Sequence, residues 1–319
     1  MTTFPKFAKI SLALSFLLVT AGCTLAINSC GKNPDFDPYE QSRPGYQDPE
    51  EEVKPDTPET PETPEDPGES EDPETPENPG EAPDPENPSG DNEELQYVTL
   101  PSDLAQQIKG YTGFVVNFNK DNHTPNYVAW ELLASEVGGS VDRSDDFWQD
   151  TELEGCPAHR DYTGSGYDRG HMCPAADQKW SVQAMHDSFV MANMCPQLHS
   201  INAGAWETLE TKERTWAKRD GAVVIIAGPI YEATDTKRIG SIGVRVPSAF
   251  FKVLYALEVK EPRAIAFVYP NMNAPGNMQD YAMSVDDLEE ILGYDFYPAL
   301  PDEIENKIEA EFSFTQWNK

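Results

Sequence analysis

The sequence predicts an α+β fold with a mainly antiparallel central sheet and flanking helices. Three observations predict it. Between residues 97 and 319 the strand-like segments outnumber the helix-like ones. Some of them follow one another directly, as consecutive strands of an antiparallel layer do. Those 223 residues of a 319-residue chain are also ample for one sizeable core.

Residues 1–30 read as an export signal. Lys6 and Lys9 precede an apolar run from Ile10 to Val19, and Thr20-Ala21-Gly22-Cys23 follows. The run is short for a membrane span but suits a secretory signal. A cysteine after small residues resembles a bacterial lipoprotein signal, in which cleavage exposes a lipidated cysteine. Cys23 is the first candidate and Cys30 the second, and Thr20 stands where such signals usually carry leucine. The expectation is an exported protein, lipid-anchored to a bacterial outer membrane or cell surface, or otherwise secreted.

Residues 31–96 hold 23 of the 56 acidic residues, 15 of the 28 prolines and only three cations, Lys32, Arg43 and Lys54, for a net charge of −20. Such a segment lacks the apolar residues to offset ordering entropy, and its charges repel one another. It is expected to be a disordered, extended linker holding a domain away from a membrane.

Within 97–319, Gly113 to Phe118 predicts a strand, Asn119 to Pro125 a turn and Tyr127 to Leu133 a returning strand, together a hairpin. Gly138 to Gly166 has little periodicity and many turn residues and reads as a long loop. Gln178 to Ala192 and Ala203 to Arg219 suit helices. Gly221 to Ala227 is a buried strand, since Val223 to Ile226 is continuously apolar. Phe250 to Glu258 and Ala264 to Tyr269 are two more. Ser284 is an N-cap before an acidic first turn, and Gly293 ends that helix.

Residues 97–319 carry 18 basic and 33 acidic residues, a net −15. A general electrostatic binder of nucleic acid wants a basic face, so this balance leaves room only for a few focused cations. The window 156–219 is locally balanced, seven against seven.

Inside that window lies Tyr167-Asp168-Arg169-Gly170-His171-Met172, after the turn-rich Gly164-Ser165-Gly166. A neutral imidazole can take a proton from water near neutral pH, and an adjacent guanidinium can hold a phosphate. Thirty residues on, Asn202 and Glu210 offer oxygen ligands for a hard metal ion. On a regular helix Trp206, Leu209 and Trp216 share one stripe, and Glu210 and Arg214 are neighbours on an adjoining face. Asn202 falls at the N-terminal end, about 80° from Glu210, where free N–H groups favour an anion. Taken singly each has a plainer reading: Asn202 as an N-cap, Glu210 with Arg214 as a surface ion pair, His171 as structural. His123, His159, His186 and His199 stand in no comparable setting. The order and spacing of the combination favour chemistry.

The segment from about Asp161 to Arg214 resembles the DNA/RNA non-specific endonuclease family, the ββα-metal or His-Me finger nucleases. Tyr162 through Met172 resembles the family's Asp-Arg-Gly-His motif with its usual approach. Met191-Ala192-Asn193-Met194-Cys195-Pro196-Gln197 is similar to its Ser-Asn-X-X-Pro-Gln segment, with Ala192 in place of Ser. Asn202-Ala203-Gly204-Ala205-Trp206 through Leu209-Glu210 resembles its metal helix. Looser similarity extends over 111–312. The resemblance implies a ββα-metal finger and hydrolysis of DNA and/or RNA without sequence preference, leaving 5′-phosphate and 3′-hydroxyl ends. It implies His171 as general base and Asn202 as the direct protein ligand of Mg²⁺, with Mn²⁺ or another divalent ion as alternatives. Glu210 would orient water beside the metal, Arg169 would contact phosphate, Arg214 would support charge near Glu210, and Asn193 would brace the site. Asp168 would brace it too or be structural.

One departure stands out. Family members often have an arginine after Asp-Asp-Phe; here Asp145-Asp146-Phe147 is followed by Trp148, which leaves Arg143 or Arg160 to replace it, or else a weaker hold on phosphate. Export permits disulfides. Of Cys156, Cys173 and Cys195, the pair flanking the motif, Cys173 with Cys195, is the expected one; a Zn²⁺ site with His171 or His199 is an alternative. The competing function is a catalytically inactive nucleic-acid-binding or surface-interaction lipoprotein on the same scaffold.

Overall fold

The computed structural model describes residues 97–274 and 276–319. The export signal and the linker, residues 1–96, lie outside the described residues. No described helix is long and apolar enough to cross a membrane.

After β1 (Val98–Thr99), three strands run as a meander: β2 (Gln107–Tyr111), β3 (Phe114–Asn119) and β4 (Thr124–Leu133). The expected hairpin is there, and β2, which the sequence reading left unassigned, extends it to the sheet edge. A hairpin apart from the sheet follows, β5 (Asp168–His171) with β6 (Met194–Gln197). The remaining strands are β7 (Ala222–Ile230), β8 (Arg238–Ile239), β9 (Val244–Arg245), β10 (Ala249–Ala256), β11 (Arg263–Pro270), β12 (Ala282–Met283) and β13 (Asp295–Phe296). The central sheet has seven strands in the order β12-β11-β10-β7-β4-β3-β2, every neighbour antiparallel.

Both faces of this sheet are covered, so its central strands are apolar throughout rather than alternating. Period-two geometry still sorts their side chains. Trp130, Ile225, Phe250, Leu254 and Phe267 pack on the face that carries the site. Tyr127, Ile226, Phe251, Val253 and Tyr255 pack on the other, against Val285 and Leu288. The latter two belong to a helix, Val285–Leu292, that begins and ends as expected: Ser284 Oγ accepts from Asp287 N, and Gly293 closes it at φ 68°.

Two helices differ from expectation. The Gln178–Ala192 segment yields only seven residues, α1 (Val182–Ser188). Asn193 ends it, since its Nδ2 donates to Ser188 O at 2.9 Å. The Met191 N–H then goes to Trp148 O at 2.8 Å rather than back into a helix. The second helical run starts earlier than expected, with a turn at His199–Ile201, a wide π turn at Asn202–Trp206 and then α2 (Glu207–Asp220). Ala203 and Gly204 leave helical geometry. Asn202 is therefore inside the run, not at a free N-terminus, so the N-cap and anion-hole readings fall. The predicted stripe is buried as expected: Trp206, Leu209 and Trp216 are 1%, 0% and 2% exposed.

The expected Cys173–Cys195 disulfide is absent. Cys156, Cys173 and Cys195 are all buried free thiols. The Cys173 sulfur is turned to Gln178, whose Nε2 donates to it at 3.2 Å, while Cys195 is paired backbone to backbone with Gly170 in the hairpin. Burial pushes all three thiols up, Cys156 to about 12.

Candidate active site

The hairpin β5–β6 and the α2 run form a ββα unit laid on the Trp130 face of the sheet. Its register pairs Asp168 with Gln197, Gly170 with Cys195 and His171 with Met194. Gly170 is required here by close approach: a Cβ at this position would overlap the Gln197 side chain, which is fully buried. Gly170→Ala is expected to force the hairpin apart and cost about 1–3 kcal/mol, read as a lower melting temperature. An unchanged melt would show that Gln197 can swing clear.

His171 follows on the same strand. Its ring is packed edge-on to Phe189 at 5.0 Å and beside Phe147 at 5.8 Å, and a backbone bond to Arg169 holds one ring nitrogen. Nε2 is buried with no hydrogen-bond partner. With the ring's backbone bond made to Arg169, Nε2 is the nitrogen left without a hydrogen-bond partner and able to accept a proton. Burial, with help from the Arg143 charge, pushes the imidazole down to about 3. The ring is therefore neutral at any ordinary pH.

Two guanidinium groups frame this aromatic box, Arg169 over Phe147 at 5.0 Å and Arg143 over Phe189 at 4.8 Å. Arg143, whose Nε also donates to Asp145 Oδ1 at 2.7 Å, is therefore the cation beside His171. Trp148, where an arginine was expected, packs away from the site: it stacks on His186 at 5.2 Å, and its Nε1 donates to His186 O.

Asp168 ties the hairpin to the helical run. Its Oδ2 accepts from Asn202 Nδ2 at 2.9 Å and is 2.9 Å from His199 Nδ1. Trp206 Nε1 donates to His171 O at 3.3 Å, midway in sequence between Asn202 and Glu210. These bonds join the strand of Asp168 and His171 to the turn of Asn202 and Trp206.

Asn193 is not part of the reactive surface. Its amide bonds Cys173 N, Cys173 O and Ser188 O, each at 2.9 Å. It locks the turn just beyond His171, a brace rather than a catalytic group.

Under Glu210 the structure assembles a buried charge network that sequence reasoning missed. Lys252, in the middle of β10, is fully buried; its Nζ is 2.9 Å from Glu213 and 4.0 Å from Glu210, and it lies over the Trp206 ring at 4.6 Å. Arg214 pairs with the buried Asp177 at 2.9 Å, not with Glu210 as its spacing suggested. Asp177 also accepts from Trp130 Nε1. Two sequence signals were available: a lysine within the apolar run Phe250–Ala256, and Glu213 falling on the stripe of Trp206, Leu209 and Trp216. Burial pushes Glu210 up to about 8, with Glu213 and Asp177 adding and Lys252 and Arg214 opposing.

The donor set fits a hard divalent cation. The hold of Asp168 on the Asn202 amide nitrogen turns its neutral oxygen into the available donor. Beside it, three carboxylates, Glu210, Glu213 and Asp177, lie against two cations, Lys252 and Arg214, and Glu210 is the least closely paired of the three, 4.0 Å from Lys252. The three cysteines take part in no such group: among the described residues the only compact set of potential ligands is Asp286, Glu289 and Glu309, far along the sequence and without His or Cys. The Zn²⁺ alternative is therefore dropped.

Residues 91–303 match the family model described as DNA/RNA non-specific endonuclease. The chain belongs to that family. Family relatives include a mitochondrial nuclease EXOG of Danio rerio, 35% identical over 218 residues, covering 63% of each chain. The mitochondrial nuclease 1 of Schizosaccharomyces pombe is 37% identical over 225 residues, covering 63% of this chain and 69% of its own. A nuclease of Nostoc sp. is 32% identical, covering 62% and 76%. The chain spans about three fifths of the length of the EXOG relatives it matches. A solved EndoG, in complex with its inhibitor EndoGI, superposes with a TM-score of 0.60 at 26% identity, covering 65% of this chain and 91% of that one. Family and neighbour agree with the α+β, ββα-metal fold read from the sequence.

Proposed function

We propose that the protein is a metal-dependent endonuclease that hydrolyses phosphodiester bonds of DNA and RNA without sequence preference. The observation that carries the proposal is the buried, unpartnered Nε2 of His171, set between two guanidinium groups and joined through Asp168 to Asn202. Arg169 and Arg143 bind the phosphate and neutralise part of its charge. His171 Nε2 takes a proton from water; the water oxygen attacks phosphorus, the bond to the 3′-oxygen breaks, and solvent returns a proton to that oxygen. The products are a 5′-phosphate and a 3′-hydroxyl. Asn202 would hold Mg²⁺ or a similar ion, with Glu210 orienting water beside it; when bound, the ion supplies Lewis-acid stabilisation of the phosphate and the departing oxygen. Asp168 positions the Asn202 oxygen, and Arg214 acts through Asp177 to hold the network together. Contact with backbone phosphates carries no sequence information, which accounts for the lack of preference.

We further propose that the protein is exported and held at a bacterial surface by a lipid on Cys23 or Cys30, with residues 31–96 as tether. The Lys6–Cys23 pattern and the −20 charge of the linker support this reading.

A plasmid-nicking assay tests the enzyme. Cleavage in Mg²⁺ is expected, lost on chelation and restored by excess Mg²⁺ or Mn²⁺. Undiminished cleavage in chelator would remove the metal, and binding without cleavage would favour the inactive nucleic-acid-binding alternative.

A further inference from the structure

The domain has a net charge of −15, and most of its cations are already engaged by carboxylates, carbonyls or rings. Lys179 and Lys218 are not: neither has an ion pair among the described residues. Both line one depression of about 400 Å³ on the outer side of α2, together with Arg214, Thr211 and Thr215. No carboxylate lines it. The Lys218 ammonium lies over Gly138, 3.8 Å from where a Cβ would sit. Arg214 is held flat between Asp177 and Thr211, its Nη2 donating to Thr211 Oγ1 at 3.1 Å. That leaves the Thr211 hydroxyl proton to donate outward.

The helix sets the spacing. Arg214 is one turn and Lys218 two turns beyond Glu210, about 6 and about 12 Å along the axis. Phosphates of one strand advance about 3.4 Å each along a duplex axis. A single strand stacked as in a duplex, cut beside Glu210 and running along α2, would bring a phosphate roughly three nucleotides away into this depression.

We propose that the depression formed by Lys179, Arg214 and Lys218 is a second phosphate subsite that grips the substrate strand at a distance from the scissile bond. This rests on the nuclease reading and adds to it a preference for longer strands. In an otherwise acidic domain, two unpaired lysines converging with an arginine give a polyanion a place to bind that the average charge denies it.

The test compares the wild-type protein with Lys179→Gln/Lys218→Gln on a long single strand and on a dinucleotide, in Mg²⁺, across a salt series. The expected result on the long strand is a KM raised by about tenfold, with kcat kept and the salt slope of log KM shallower by about 1.4, or about 0.7 per lost contact. Dinucleotide cleavage should be unchanged, and Lys179→Arg/Lys218→Arg should restore the long-strand KM. Equal loss on both substrates would overturn the subsite, as would an unaltered KM and salt slope. Should the wild type cleave neither substrate, the nuclease reading fails and the subsite with it; cleavage of both with no difference between variants removes the subsite alone.

Discussion

His171→Ala is expected to abolish strand cleavage while leaving nucleic-acid binding in place. General base catalysis contributes about 10²–10⁴-fold, and of the two imidazoles that pack on Phe147, His171 and His159, it is His171 that carries the buried, unpartnered nitrogen. Binding should persist because Arg169 and Arg143 are untouched. Single-turnover cleavage and fluorescence anisotropy on the same labelled strand separate the two effects. Retained cleavage in the variant would dismiss this residue as the base.

The pH dependence sharpens that test. An exposed imidazole would lose activity as pH falls through about 6.5. Here the ring is buried against Phe147 and Phe189 and depressed to about 3. The acid limb of kcat/KM owed to His171 should therefore lie well below 6.5, and the rate should hold from about pH 5 to 8 as far as this group is concerned. A loss centred near 6.5 would mean that the ring is hydrated in the working enzyme. The same shift bears on stability. Between the unfolded value near 6.5 and the folded value the unfolded chain carries one more proton. Stability thus falls with decreasing pH, by about 1.4 kcal/mol per unit. His171→Ala should flatten the acid side of a melting-temperature profile by that share.

Lys252→Met should be the most destabilising single change outside the reacting groups. It leaves Glu213, fully buried, and Glu210, nearly so, without their shared cation, and removing one partner of a buried pair costs about 3–5 kcal/mol. The sign of its pH dependence follows from the carboxyls. Without Lys252 their folded values rise further above the unfolded value of about 4.3. They are then protonated in the folded state and ionised in the unfolded one over the interval between, so the variant loses stability as pH rises through it. Its deficit in melting temperature should be larger at pH 8 than at pH 5. Lys252→Met/Glu213→Leu, which removes both charges, should recover most of the loss. A single variant as stable as wild type would show that water reaches this network.

How much of this was legible in the sequence differs from residue to residue. The sheet strands from Phe114 to Pro270 were readable because continuous apolar runs leave few alternatives, and the Ser284 and Gly293 caps because their chemistry is local. The Trp206–Leu209–Trp216 stripe was readable from helical period alone. The Gln178–Ala192 helix was overread, since nothing nearby announces that Asn193 will cap it from beyond its end. Asn202 was misplaced at a helix start because the wide turn at Asn202–Trp206 has no periodic signature.

The sequence by itself determined the family, the Asp-Arg-Gly-His motif and the residues from Asn202 to Arg214, because groups close along the chain stay close in any fold that keeps their hairpin and helix. Only the tertiary structure decided which of them are desolvated and which charges meet. Lys252 reaches Glu213 across 39 residues, Arg214 chooses Asp177 over its helical neighbour, and two phenylalanines 42 residues apart close over His171. Those outcomes depend on sheet register and on the exclusion of water. Both are properties of the assembled core, and no local spacing encodes them.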